Sequence, residues 1–344
     1  MARTRNAPAN VDGGAKFWNG SSGRWAGERL LRAMQEGRPM TPKELRTADT
    51  LRKDEWIHFD EALVQEGTIR LRGVADLMAA GLTRPVANGM GKTVFQYEKI
   101  TDMEPAQTSL DGMSRTEDDR QEFDLNSLPL PITHKDFGIN LRTLMASRER
   151  GESLDTTQVR TAGRLVAEQV EKMLFQGGPM FGSLPIYGYT THPDRNITNF
   201  VTNPWNVPAV TGENILADVL AAITALEADR MNSGPYWIYV PSDASTKLES
   251  DFKANSDKTI RQRVLEVDRV AGIRVADQLP SGSVIVVQAT PDVVVLVEGE
   301  PLQTVQWDIQ GGFRVEFKAF SIHVPLIRSD SDGRSGVVEI IAVP

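Results

Sequence analysis

No cysteine occurs among the 344 residues, and only four histidines do. The first absence removes disulfides, thiolate catalysis and cysteine-held zinc or iron–sulfur centres. The second leaves His58, His134, His192 and His323, scattered with no His-x-x-x-His or His-x-Glu spacing. No metal site is expected on them. No run approaches eighteen consecutive apolar residues, so no membrane-spanning helix is expected. The opening "MARTRNAPANVDGG" lacks the apolar centre of a secretion signal. No Gly-x-Ser-x-Gly elbow is present.

Fragments of chemical motifs are equally incomplete. "NGMGKT" (Asn88 to Thr93) ends like a phosphate loop, but the position of its first glycine holds Val86. "VFQYE" follows, which reads as a strand where a helix N-terminus should receive the phosphate. A flexible hinge into the next segment is the expectation. Asp330, Asp332 and Gly333 in "SDSDGRSG" look like half a calcium loop without its downstream acidic ligand. A hairpin turn is expected there. Asp118 and Asp119 lie in a polar stretch, where burial cannot tune a carboxylate. No catalytic, cofactor-binding or metal-ligating residue is therefore expected, no cofactor is expected, and the chain is not read as an enzyme.

What is present is a soluble globular composition, 40% hydrophobic and 24% charged, with an uneven charge distribution. The net charge is −8, yet residues 1–53 carry eleven Lys/Arg against five Asp/Glu, a local +6. Residues 98–124 carry nine Asp/Glu against three Lys/Arg, a local −6. Such opposite-signed segments suggest arms that find complementary patches on neighbouring subunits.

Residues 1–27 are rich in Gly, Asn, Ser and Ala, with Phe17, Trp18 and Trp25 as aromatic anchors. A short helix is expected over Glu28 to Gln35. A longer one runs from about Leu51 toward Arg72, with Trp56, Phe59, Leu63 and Val64 on one side. From Thr93 to Ile139 two extended arms, "TVFQYEKI" and "PLPITHKDFGINL", flank an acidic middle. Long excursions of this kind are usually functional or intermolecular.

The stretch "LDTTQVRTAGRLVAEQVEKMLFQG" then predicts a long helix. Asp155 and Gln158 can form a capping-box-like start, and Gly177 is a natural stop. Val159, Ala162, Val166, Val170 and Met173 form an apolar stripe, with Arg160, Arg164, Glu168, Glu171 and Lys172 on a face read as solvated or at a subunit boundary. About twenty residues give a rod of roughly 30 Å. Residues 212–298 read as an α/β unit. Thr211 caps a helix "NILADVLAAITALEA", and strand "YWIYVP", helical "DASTKLESDF" and "TIRQRVLEV", and strands "SVIVVQA" and "VVVLV" follow. "TVQWDI", "FRVEFKAFSIHVPLI" and "GVVEIIAV" close the chain as strands.

Several of these pieces resemble the major capsid proteins of tailed bacteriophages with the Hong Kong 97 fold, and the related encapsulin shell proteins. The clearest is "LPLPITHKDFGINLRTLMASRERGESLDTTQVRTAGRLVAEQVEKMLFQG". "LRKDEWIHFDEALVQEGTIRLRG" resembles the helix preceding it, and "GPYWIYVP" the first strand of the family's A-domain. "YGYTTHPDRN", "FKANSDKT", "TVQWD" and "SDSDGRSGVVEI" are similar to the phage branch.

The resemblance implies an α+β Hong Kong 97-type fold. It assigns 1–50 to an N-terminal arm, 51–87 to a P-domain helix region and 88–135 to an extended E-loop overlapping a neighbour. It assigns 136–211 to the P-domain with spine helix 155–176, 212–298 to the A-domain and 299–344 to C-terminal P-domain strands. It implies a major capsid protein forming pentamers and hexamers in an icosahedral shell around phage double-stranded DNA. Implied partners are other copies, portal, scaffolding and decoration proteins, and packaged DNA without sequence-specific contact, but no membrane. The implied place is the virion, after assembly in the host cytoplasm. An encapsulin nanocompartment enclosing a cargo enzyme is the alternative within the fold, and an α/β enzyme the alternative outside it. Lys99 in the E-loop has no cross-linking partner identifiable from sequence.

Overall fold

The computed structural model describes residues 61–64, 72–100, 108, 110, 123–150, 157–230, 234–254, 257–309, 313–330 and 332–342. The expectations for the arm 1–50, the helix over Glu28 to Gln35, the Asp155 cap and most of the acidic middle fall outside these residues.

Two sheets and one long helix organise the described chain. Helix α1 (Arg72–Ala79) leads into the short strand β1 (Thr83–Pro85). Strands β2 (Val94–Ile100) and β3 (Phe123–Pro129) pair only with each other. Strand β4 (Thr133–Asn140), helix α2 (Leu141–Arg150) and the spine helix α3 (Thr157–Gln176) follow. A four-stranded sheet has the order β1-β9-β10-β4, where β9 is Val294–Ile309 and β10 is Arg314–Ile327. A five-stranded sheet has the order β5-β11-β8-β6-β7. Its strands are β5 (Asn196–Asn199), β6 (Tyr236–Val240), β7 (Val270–Val275), β8 (Ser283–Gln288) and β11 (Val337–Ile341). Helix α4 (Gly212–Arg230) packs on this sheet, with α5 (Ser242–Leu248) and α6 (Ile260–Leu265) beside it.

Alternation along the five-stranded sheet divides the core. Ile238, Val240, Val284 and Val286 face α4, where Ile215, Val219, Ala222 and Leu226 meet them. Tyr239, Ile285 and Val287 point the other way, into a cluster shared with Leu296, Ile322 and Val324 of the four-stranded sheet. Because both faces are covered, "SVIVVQ" is buried at every position and reads as an unbroken apolar run.

The spine helix joins the two halves. Val159, Ala162 and Val166 pack on Val315, Phe317 and Ala319 of β10. One turn and more later, Val170, Met173, Leu174 and Phe175 enter the cluster between the sheets. All five stripe residues expected from periodicity are buried. Gly177 ends the rod at φ +82°, and its amide donates to the Met173 carbonyl at 3.0 Å.

Several expectations need correction. Glu171 is not solvated: it is 3% exposed, because it caps α1. Val64 does not share the buried side with Leu63; it is half-exposed while Leu63 packs on the spine. The second arm of the excursion is "FDLNSLP", which pairs with 94–100, whereas "THKDFGIN" is body sheet, antiparallel to β10. The closing strand Val337–Ile341 does not group with β9 and β10. It lies in the five-stranded sheet, antiparallel to β8 and parallel to β5, so that sheet draws strands from both sides of 212–298.

The "NGMGKT" stretch is not a loose hinge either. It forms a 3₁₀ turn, Gly89–Gly91, entered through Asn88 at φ 57° and packed backbone to backbone on Gly299 of β9. A Cβ on Gly89 would run into the Cα and carbonyl of Gly299. Glycine is needed here for close approach.

Candidate functional site

The titratable groups Lys99, His192 and Asp194 share one cavity, where they are tied to one another or to the loop backbone. His134 sits on β4 near Asp136, His192 in the loop after the spine, and His323 on β10 with Nε2 3.7 Å from Glu298. His58 falls outside the described residues. Among the described residues no group of three or more His, Cys, Asp or Glu could hold a metal, and no helix is long and apolar enough to cross a membrane. Asp330 and Gly333 build a tight turn: the Gly333 amide donates to the Asp330 carbonyl and the Arg334 amide to its carboxylate. Ser329 and Ser335 bridge across it.

The distinctive surface is the β2–β3 hairpin. Its ladder runs from Val94↔Pro129 at the root to Ile100↔Phe123, joined to no third strand among the described residues. One side of the root is apolar and packed: Phe95, Tyr97, Leu128 and Leu130 meet the cluster between the sheets. Farther out, Phe123 and Leu125 are 62% and 57% exposed. The hairpin therefore grows from the core at one end and presents unpaired edges and apolar side chains at the other.

A polar stitch holds it along the body. Lys99 Nζ donates to Ser329 Oγ at 2.8 Å, and Ser329 Oγ donates to Asp194 Oδ2 at 2.6 Å. Lys99 and Asp194 themselves stand 3.7 Å apart. These non-covalent partners of Lys99 lie 95 and 230 residues away and come together only through the fold. A cavity of about 420 Å³ lies beneath, lined by Tyr97, Leu125, Tyr187, His192 and Leu326 among others. Burial holds the His192 imidazole down to about 4, so it is neutral and its Nδ1 accepts from the Asp194 amide at 3.2 Å. That bond shapes the loop carrying Asp194.

A second joint lies at the spine. Glu171 Oε1 and Oε2 accept the Gly73 and Val74 amides at 2.7 and 3.1 Å, serving the first turn of α1. Asp76 one turn on accepts from Tyr239 and pairs with Arg274 at 3.4 Å. On the far side of the five-stranded sheet, Asp218 accepts from the Val201 amide and Trp205 Nε1 at 2.7 and 2.8 Å, fixing the 201–205 loop to α4. These buried carboxylates hold elements together; none faces an open cavity with a nucleophile or base beside it.

Comparison with known proteins fits this architecture. Among solved structures, the virus-like particle from Pyrococcus furiosus superposes with a TM-score of 0.58 at 17% identity, covering 82% of this chain and 97% of that one. The capsid of Myoviridae phage XM1 gives 0.61 at 11% identity, covering 78% and 92%. The capsid of a native GTA particle gives 0.56 at 15%, covering 80% and 92%. A curated sequence, the type 1 encapsulin shell protein EncA of Myxococcus xanthus, is 27% identical over 135 residues, 38% of this chain and 44% of that protein. The match thus spans less than half of that relative's length. These likenesses give the chain the Hong Kong 97-type α+β fold. Its residues 46–340 match the model of a family of unknown function, DUF6260, and the chain belongs to that family.

Proposed function

We propose that this chain is a major capsid protein, assembling as pentamers and hexamers into a closed icosahedral shell around phage double-stranded DNA. The observation that carries the reading is the β2–β3 hairpin, rooted in the core, ending in exposed apolar residues and paired with no third strand among the described residues. An isolated two-stranded ribbon is marginal in water, so partners from other copies give it a use. Identical subunits around five-fold and six-fold axes require every contact to be self-complementary under rotation. The role is structural, not catalytic.

In this reading residues 1–50 are the arm and 88–135 the E-loop. The body around α3 is the P-domain, and the unit 212–298 with β5 and β11 is the A-domain. The net charge of −8 suits a wall that repels packaged phosphate and lets DNA slide. Portal, scaffolding and decoration proteins are the further partners, with assembly in the host cytoplasm. The +6 of residues 1–53 and the −6 of 98–124 meet between subunits. Deletion of residues 1–27 is expected to lower particle yield and stability, and an unchanged particle would end that pairing.

A second reading, an encapsulin compartment around a cargo enzyme, is favoured by the likeness to the Myxococcus shell protein. Size-exclusion chromatography and negative-stain microscopy of the purified chain test both. Shell particles in the megadalton range support them, and elution as a small oligomer under every condition overturns them. Co-purified DNA against a co-purified cargo protein, with portal and terminase genes or a cargo gene nearby, separates the two.

A further inference from the structure

One imidazole stands at the head of the stitch that fastens the hairpin. His192 is 6% exposed, and its Nδ1 accepts the Asp194 amide at 3.2 Å. The ring also bonds the Ile327 backbone, two residues before Ser329. Asp194 Oδ2 accepts from Ser329 Oγ, and Ser329 Oγ accepts from Lys99 Nζ on β2. His192 therefore touches both body segments that hold the ribbon. Hydrogen bonds run without a break from ring to ribbon, through Asp194, Ser329 and Lys99.

This line lasts only while Nδ1 is an acceptor. A protonated imidazole carries N–H on both nitrogens and can no longer take the Asp194 amide. Its new donor needs an anion. Around the ring, Lys99 on β2 and Arg195 on its own loop are cations, and Asp194 is the one carboxylate among the described residues. Arg195 is already engaged, with Glu339 Oε2 at 2.6 Å and the His192 carbonyl at 3.0 Å. Tyr97 and Tyr187 are the other titratable neighbours; β3 and the end of β10 bring none to this cavity. The Asp194 carboxylate can answer an imidazolium only by turning away from Ser329 and Lys99. The cavity of about 420 Å³ under the hairpin gives it room to do so.

We propose that His192 is an acid-operated latch: on taking up a proton it draws Asp194 out of the stitch and frees the β2–β3 hairpin from its own body. The latch lies inside one chain and does not rest on the shell reading. Burial holds the closed imidazole at about 4, against an ordinary value of 6.5. A freed and wetter ring regains the higher value, so opening takes up a proton. The closed form is favoured in full above about pH 6.5, loses ground as pH falls, and levels off below about pH 4. Once free, the ribbon has only its apolar root to hold it, and a lone two-stranded pair is marginal in water.

Amide exchange of the purified wild-type protein and His192→Gln, in whatever assembly state each adopts, tests the latch. Gln can accept the Asp194 amide but takes up no proton. Compared at one pH, the two proteins share the same intrinsic exchange chemistry. The ratio of wild-type to variant exchange over Val94–Ile100 should rise about tenfold from about pH 7.5 to about pH 5, while Arg314–Ile327 stays level. A second arm is indifferent to how well Gln fits. Lys99→Ala cuts the line at its far end, so its hairpin should exchange about tenfold faster than wild type at the higher pH and approach parity at the lower. A ratio that stays flat between the two pH values, or acid loosening that spreads equally to Arg314–Ile327, would overturn the latch. So would a Lys99→Ala excess that is the same at both.

Discussion

Glu171 Oε1 accepts the Gly73 amide at 2.7 Å although the two residues are 98 apart in sequence. One carboxylate thereby ties the first turn of α1 to the middle of the spine, within 3% exposure. Burial pushes its ionisation from 4.5 up to about 7; the two amides act against this and the charge of Asp76 adds to it.

The sign of the resulting pH dependence is determined. Between pH 4.5 and 7 the folded chain keeps a proton that the unfolded chain has released. The contribution of Glu171 is full below about pH 4.5 and is lost as pH rises to about 7, by roughly 3 kcal/mol. Glu171→Gln should remove this slope. Thermal melts of both proteins across that window measure the difference, and a constant gap between them would contradict it.

Val166 sits at 2% exposure between the spine and β10. Val166→Asp places an unpaired charge there and is expected to abolish soluble folded protein before any assembly. Val166→Ala, which only opens space, should cost about 2 kcal/mol and still fold. Soluble yield and chemical denaturation distinguish the two; a folded, assembling Asp variant would remove the case for a buried stripe.

At the turn before β2, Gly89→Ala is expected to lower stability by about 1–3 kcal/mol, since a methyl group there collides with the backbone of Gly299. Gly91→Ala meets only the movable Asn88 side chain and should cost less. The comparison of melting temperatures would fail if both variants behaved alike.

Lys99→Ala leaves the Ser329–Asp194 pair but frees the hairpin from it. Amide exchange across Val94–Ile100 should quicken about tenfold, with the global melting temperature nearly unchanged. Equal exchange in both proteins would show that the apolar root alone positions the ribbon.

Periodicity exposed much of this fold because it is a local property. The stripe from Val159 to Met173, the helix after Thr211 and the strands from Tyr236 and Ser283 each follow from spacing and apolar run. What escaped notice depended on partners far along the chain. "VVVLV" and "TVQWDI" read as separate strands, yet β9 is continuous through both because β10 pairs along its length. Glu171 looked like a solvated residue because the amides it serves lie nearly a hundred positions earlier. The hairpin's second strand was misplaced by ten residues because "THKDFGIN" and "FDLNSLP" are both extended, and only register decides between them.

The stitch from Lys99 through Ser329 to Asp194 has a geometric consequence. Seven ladder residues make a lever about 20 Å long, so a tilt of a few degrees at its base moves the far end by an ångström or more. In the proposed shell, these three side chains together with the apolar root would set the pitch at which one copy meets the next, and with it the curvature of the assembly.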